Sequence, residues 1–254
     1  MSPSSVTFDC TQCGRCCHGL RLPLAIEEAI DWIDRGGRVE LLCDAGPPSQ
    51  GDDHGPSRAS YQAVRSFPGV SGAVTVQVSV TLVASFSGPC PFLLPDMRCG
   101  NYTARPRVCR VYPAEANPFV RLDPAAKACP TEAWDSALTV LVRDDRVVDP
   151  AIRDAIGGMR RAGAEDAAAK ALICQQLGID VAAFANEGLA VHAPDQPLLR
   201  QALERSSLTR ATANDPAVWR MSTNRSATAA MLISAGCAVV DADDAYIGFF
   251  PGDL

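Results

Sequence analysis

The chain has 254 residues, 47% of them hydrophobic and 20% charged, with a formal net charge of −6. That suffices for one large domain or two small ones around a normal core, and excludes an extended low-complexity chain. The acidic balance excludes a general nucleic-acid binder, which needs a basic excess, and no run reaches the roughly 18 apolar residues of a membrane helix.

Residues 1–20 carry Cys10, Cys13, Cys16 and Cys17 and read as a loop that wraps a metal. Met1-Ser2-Pro3-Ser4-Ser5 has neither the charged nor the apolar part of a secretory signal, so a cytoplasmic location is expected. From Pro23 to Arg35 the apolar residues Leu24, Ile26, Ala29, Ile30 and Ile33 repeat at helical spacing, and Gly36-Gly37 ends the run. Asp44 to Ser60 is polar and rich in glycine and proline, which predicts a mobile loop or disordered insertion.

Val74 to Thr81 alternates valine with polar or small residues. This predicts a strand, extending to Val83, with one buried face in an antiparallel sheet. Residues 87–113, rich in proline, glycine and cysteine, read as a second ligand-bearing loop. Leu138 to Val148 fits a hairpin, and Ile152 to Leu177 an alanine-rich helix broken near Gly163. Leu198 to Leu208 predicts a helix capped by Asp195. Asn224 to Ala235 predicts another, stopped by Gly236, before short closing strands at Cys237–Val240 and Tyr246–Phe250. The expected fold class is α+β. Residues 1–135 would form a cysteine-rich, metal-bound domain with a small antiparallel sheet. Residues 136–254 would form a mostly helical region with no assigned role.

Eleven cysteines in a reducing compartment point to metal or redox chemistry rather than to structural disulfides. In Cys10-x-x-Cys13 two thiolates can converge on one metal across a tight turn, for which Gly14 supplies unusual dihedrals. Cys16 extends the same wrap, as in the C-x-x-C-x-x-C run of bacterial ferredoxins. Cys17 is different: neighbouring side chains diverge, so the pair Cys16-Cys17 suits two metal atoms or two centres. The second group is Cys90-Pro91, Cys99, Cys109 and Cys129-Pro130. Its prolines stiffen the ligand loops and donate no hydrogen bond. Eight thiolates carry eight negative charges. Arg15, Arg98, Arg105, Arg107 and Arg110, all beside these cysteines in sequence, are expected to offset some of them.

Cys-x-x-Cys-x-Arg-Cys-Cys, Cys-Pro-Phe-Leu, Arg-Pro-x-x-Cys-Arg-x-Tyr-Pro and a closing Cys-Pro together resemble the YkgJ-type cysteine-cluster family (CxxCxxCC). Chelation of zinc or iron is ascribed to that family, and flagellin lysine N-methylases contain a similar cluster. The resemblance covers roughly residues 8–130. It implies that Cys10, Cys13, Cys16, Cys17, Cys90, Cys99, Cys109 and Cys129 are the metal and cofactor ligands. One departure is local: Gly100-Asn101-Tyr102 stands where many relatives have an isoleucine-tyrosine pair after the cysteine at position 99.

Both zinc and iron–sulfur centres accept all-thiolate sites. Structural zinc usually shows two separated C-x-x-C pairs, and the second half of this set has none. The wider spacing and Cys16-Cys17 favour a polynuclear centre: one or two iron–sulfur clusters, [4Fe–4S] by ligand count, with zinc as the alternative. His18 is expected to hydrogen-bond rather than ligate, His54 to be solvated and His192 to be structural. Cys43, Cys174 and Cys237 read as small core hydrophobes. Asp241, Asp243 and Asp244 read as a solvated turn, and Tyr102 and Tyr112 as packing over the metal loops. No phosphate loop, dinucleotide fingerprint, nucleophile elbow or C-x-x-x-C-x-x-C triplet is present in the sequence.

The expected function is that of a cytoplasmic iron–sulfur protein that transfers electrons or supports a redox or modification enzyme. Its partners would be a redox protein or a small-molecule or protein substrate, not nucleic acid and not a membrane. An oxidoreductase activity of its own needs an iron with an open site or a substrate pocket beside the cluster; seven ligands on two clusters would leave an open site and eight would not. The alternatives are a zinc-stabilised interaction module without catalysis, and a metal-delivery or metal-sensing protein.

Overall fold

The computed structural model describes residues 5–48, 57–208 and 216–253. Contacts gather the chain into two units, each made of two stretches. The first is Met1–Leu24 with Ala84–Ala162, and the second is Ala25–Val83 with Gly163–Leu254. In chain order the elements begin with strands β1 (Ser5–Thr7) and β2 (His18–Leu24), helix α1 (Ile26–Asp34), β3 (Val39–Gly46), α2 (Arg58–Ala63), β4 (Ser66–Ser71) and β5 (Val74–Pro89). They continue with α3 (Arg107–Val111), β6 (Val140–Arg143), β7 (Arg146–Val147), α4 (Pro150–Glu165), α5 (Ala167–Leu177), β8 (Val181–Phe184) and β9 (Gly188–His192). The last are α6 (Gln196–Leu208), β10 (Ala217–Val218), β11 (Arg220–Thr223), α7 (Ser226–Ser234), β12 (Val239–Asp241) and β13 (Tyr246–Gly248).

In the first unit β6 lies between β1 and β7, antiparallel to both. The hairpin expected over Leu138–Val148 is β6–β7. It turns at Asp144 and Asp145, with φ of 51° and 60°, the left-handed pair that a two-residue hairpin turn needs if strand twist is to continue. β2 pairs with β5, whose residues from Ala84 onward belong to this unit. A small core forms where Val111 and Ala114 meet Ala155 and Ile156 of α4, flanked by Val147, Ile152 and Met159. The stretch 87–113 is therefore not loop throughout. β5 runs on to Pro89, and Pro106, whose fixed φ suits a helix start, stands just before the first residue of α3.

In the second unit β3, β8, β11 and β12 run parallel. β4 pairs antiparallel with β5 from Ser66 opposite Ser79 to Ser71 opposite Val74. β9 runs antiparallel to β3 and to β13, and β10 extends the β4 edge. Val76, Val78, Val80 and Leu82 are buried along β5, the face that the alternation predicts. Val39, Leu41, Leu42, Cys43 and Ala45 of β3 are buried on both faces, as parallel strands between layers must be. Trp32, Ile173, Leu199 and Leu203 complete this core from α1, α5 and α6.

The C-terminal region is not mostly helical: β8 to β13 all lie in it. The physical reason is local. Val181-Ala182-Ala183-Phe184 is apolar throughout because both its faces pack, so it shows no alternation and its alanines favour helix in isolation. The long helix breaks at Asp166, three residues past Gly163, and the Asp166 carboxylate accepts the Ile26 N–H at the start of α1, at 3.0 Å. The Asp195 cap is present, accepting the Leu198 N–H at 3.1 Å. Gly236, at φ +92°, follows the end of α7. Of the loop expected over Asp44–Ser60, Asp44–Gly46 finish β3 and Ser57 caps α2. Residues 49–56, with His54, lie outside the described residues.

Candidate metal centre

All eight cysteines of the motif lie in the first unit, and all are free thiols; Cys10 is exposed and the other seven are half-buried. Gln12 at φ 54° and Gly14 at φ 68° turn the first loop. The Cys17 N–H donates to Gly14 O at 2.9 Å. His18 Nδ1 stands 3.2 Å from the same carbonyl, the hydrogen-bonding role expected of it. Gly14 is needed for space as well as for its dihedral. A Cβ there would sit 2.6 Å from Met97 O and 3.0 Å from the Leu93 side chain, so the first loop rests directly on the second.

The Cys90 N–H donates to Cys17 O at 2.7 Å, which joins the two loops by backbone. Leu93 and Cys99 then form an antiparallel bridge, bringing Cys99 back toward Cys90. Asp96 accepts the Arg98 backbone N–H at 3.1 Å and the Arg98 guanidinium at 2.8 Å, so the Arg98 charge goes to a carboxylate. The Arg105 guanidinium lies 3.7 Å over the Tyr102 ring and donates to Tyr102 O. Its charge favours the thiolate forms of Cys16 and Cys109. Cys109 sits in α3, its N–H donating to Pro106 O at 3.0 Å, and α3 packs on β2.

The third segment arrives at Cys129. The Tyr112 hydroxyl donates to its sulfur and accepts the Ala128 N–H at 2.9 Å. Lys127, paired with Glu115, stands 5.5 Å over the same ring. Asp9 N–H donates to Ala133 O at 3.1 Å, and the Phe8 and Trp134 rings lie 4.9 Å apart. These contacts hold the approach to Cys10 against the chain just past Cys129.

Cys16 and Cys17 sulfurs stand 4.0 Å apart. Their hydrogen bond pushes the Cys16 thiol down, helped by Arg105, and pushes Cys17 up, where burial and the nearby Cys16, Cys90 and Cys109 add to the effect. Burial, with Cys90 and Cys16 beside it, raises Cys109 to about 12. Burial is also the main cause that raises Cys90 and Cys129. Crowded thiols with few cations near them resist ionisation, and a bound metal ion supplies the missing positive charge. Among the described residues, no three His, Cys, Asp or Glu side chains stand so that they could hold an ion together. The donor chemistry fits a soft metal all the same: the set is thiol only, the ligand type that selects zinc and iron–sulfur clusters.

Residues 9–130 match the CxxCxxCC family, described as "Putative zinc- or iron-chelating domain". The match spans 122 of the 254 residues. All eight motif cysteines fall inside the CxxCxxCC match, as the sequence resemblance implies. No curated protein and no solved structure matches the chain.

Outside the CxxCxxCC cluster, Cys43 and Cys174 are buried in the second unit, as expected, and hydrogen-bond to each other. The partnership was not visible in their sequence neighbourhoods. Cys237 is half-buried rather than a core residue. His192 Nε2 lies 2.8 Å from Val181 O, a structural role. Tyr112, expected to pack over the metal loops or to touch a substrate, hydrogen-bonds Cys129 directly; its place three residues after Cys109 was the available signal.

Proposed function

We propose that the CxxCxxCC domain holds an iron–sulfur centre on cysteine thiolates and that the protein works in electron transfer, or as the redox part of a modification enzyme. The observation that supports this is the donor set: eight free thiols in one unit, on three segments joined by the Cys90–Cys17 and Asp9–Ala133 backbone bonds. When bound, such a centre would supply one-electron redox chemistry. The chain's own residues would hold the sulfurs, through Tyr112 at Cys129, and offset charge, through Arg105 beside Cys16 and Cys109.

One observation favours a second reading, zinc. Two thiolates on one tetrahedral zinc, with bonds of about 2.3 Å, stand about 3.8 Å apart. The Cys16–Cys17 separation is 4.0 Å. A zinc centre would make the domain a metal-stabilised interaction module or a metal-delivery protein. Anaerobic purification followed by assay of iron, acid-labile sulfide and zinc separates the two. A brown protein with matching iron and sulfide is the expected result. A colourless protein that retains zinc overturns the iron–sulfur reading.

A further inference from the structure

We propose that the two cysteine loops together present a docking surface for an acidic protein, with an apolar centre of Leu94, Met97 and Tyr102 and a cationic rim of Arg15 and Arg105. This rests on the metal-holding reading above and adds the kind of partner. In electron transfer it is the protein that passes electrons to or from the centre.

The apolar centre lies on the loop that carries Cys90 and Cys99. Leu94, Met97 and Tyr102 are 44%, 39% and 40% exposed. The Leu94 N–H donates to Arg98 O at 2.8 Å and the Met97 N–H to Leu94 O at 2.9 Å, which closes a tight turn between the two cysteines. Met97 stands in the left-handed region, at φ 67°. A residue with a side chain keeps that conformation only where its surroundings fix it.

Contacts at two glycines show that these side chains adjoin. A Cβ on Gly14 would meet the Met97 terminal methyl at 3.0 Å, so Met97 lies across the first loop, next to Arg15. A Cβ on Gly100 would meet Leu94 Cδ2 at 3.0 Å, so Leu94 lies beside the chain that leads to Tyr102. Arg105 covers the Tyr102 ring at 3.7 Å. Contiguous exposed apolar side chains rimmed by charge mark an interaction site, and Arg, Met and Tyr are types that protein interfaces concentrate.

Charge selects the partner. Residues 10–24 and 84–114 hold six arginines and one carboxylate, Asp96, in a chain whose net charge is −6. Asp96 is paired with Arg98 at 2.6 Å. Arg15 is exposed, and neither it nor Arg105 meets a carboxylate among the described residues. Four thiolates on one zinc ion or one [4Fe–4S] cluster leave a net charge of about −2, so the arginine surplus outweighs even two such centres. A face of this kind steers an acidic protein toward it and seats an apolar contact at its middle. Nucleic acid shares the sign, but the acidic chain as a whole repels it. A face of five side chains is small, as in transient electron-transfer encounters.

The test is binding of a fluorescently labelled acidic probe to metal-loaded full-length protein, followed by anisotropy. The probe is a plant-type [2Fe–2S] ferredoxin of acidic surface. Binding should weaken as salt rises from about 0.02 to about 0.2 M. Arg15→Glu should weaken it about fivefold or more, and Arg15→Lys, which keeps the charge, should retain most of it. Leu94→Ser should weaken it without changing its salt dependence. Arg143→Glu reverses an exposed charge on β6 in the same unit and should change binding less than about twofold. No binding at low salt, equal weakening by Arg15→Glu and Arg143→Glu, or equal weakening by Arg15→Lys and Arg15→Glu overturns the surface. Tighter binding of a cationic haem protein or of duplex RNA overturns it as well. Zinc-loaded protein that binds the probe through Arg15 upholds the surface and overturns its redox meaning, whereas an iron–sulfur protein that fails to bind it overturns the surface alone.

Discussion

The Tyr112 hydroxyl donates a hydrogen bond to the Cys129 sulfur while accepting the Ala128 N–H at 2.9 Å. A donor on sulfur favours the thiolate, so Tyr112 works against the burial that raises Cys129. In Tyr112→Phe the Cys129 thiol should rise further. Alkylation of metal-free protein at mildly alkaline pH should then slow at Cys129 and stay the same at exposed Cys10, because the thiolate is the nucleophile. Metal affinity, read by chelator competition, should fall about tenfold, the usual effect of losing a partner that orients a ligand. An unchanged alkylation rate together with unchanged affinity would remove Tyr112 from this role.

What was legible in the sequence depended on how local its cause was. Val74 to Val80 announced a strand because one face is buried and the other meets less packed surroundings, and residue spacing alone records that. Asp195 announced a cap because the group it binds, the Leu198 N–H, is three residues away. Val181 to Phe184 announced nothing, since a strand packed on both faces has no period to read. The role of Asp166 left no local signal either, since its partner, the Ile26 N–H, is far away in sequence. The cysteine set was legible as a set because residue type carries the chemistry. Its internal arrangement was not, because the bonds that order it, Cys90 to Cys17 and Asp9 to Ala133, join distant parts of the chain.

Gly14→Ala tests whether contact between the two cysteine loops matters for the centre. The new methyl would stand 2.6 Å from Met97 O on a backbone at φ +68°. Left-handed strain and the clash with a carbonyl add, and a loss of about 1–3 kcal/mol of stability is expected. Denaturant unfolding measures it. Metal content should fall in the same variant, since Met97 lies between Cys90 and Cys99. Wild-type stability and metal content in Gly14→Ala would show that the loops separate without consequence.

Asp44 gives a pH dependence away from the cluster. Burial raises its carboxyl from 3.8 to about 6. The folded state therefore holds the proton more tightly than the unfolded chain does. Its contribution is most favourable below the unfolded value and is lost as pH rises through the folded one. A rise of that size corresponds to a loss of at most about 3 kcal/mol, complete above about pH 7. Asp44→Asn removes the titration. Its stability advantage over wild type, measured by urea unfolding, should grow from about pH 4 to about pH 7 and then stay level. An advantage that does not change with pH over that interval would mean that Asp44 is not held as a buried acid.

Cys109→Ala and Cys174→Ala form the control pair for the ligand assignment, since only one of these two thiols belongs to the cluster. Cys174 is 1% exposed and its partner is Cys43, in the second unit. Its truncation leaves a small cavity and an unpartnered thiol, for a stability loss of roughly 1 kcal/mol, with full metal content. Cys109 is held at the start of α3 by Pro106, next to Cys90 and Cys16. Its truncation should release metal and lower the thermal midpoint of the metal-bound protein, because metal affinity is coupled to folding. Elemental analysis and thermal unfolding of the two variants side by side decide the matter. Metal retained in full by Cys109→Ala would show that α3 does not close the centre, and metal lost by Cys174→Ala would show that the ligand set reaches beyond the motif cysteines.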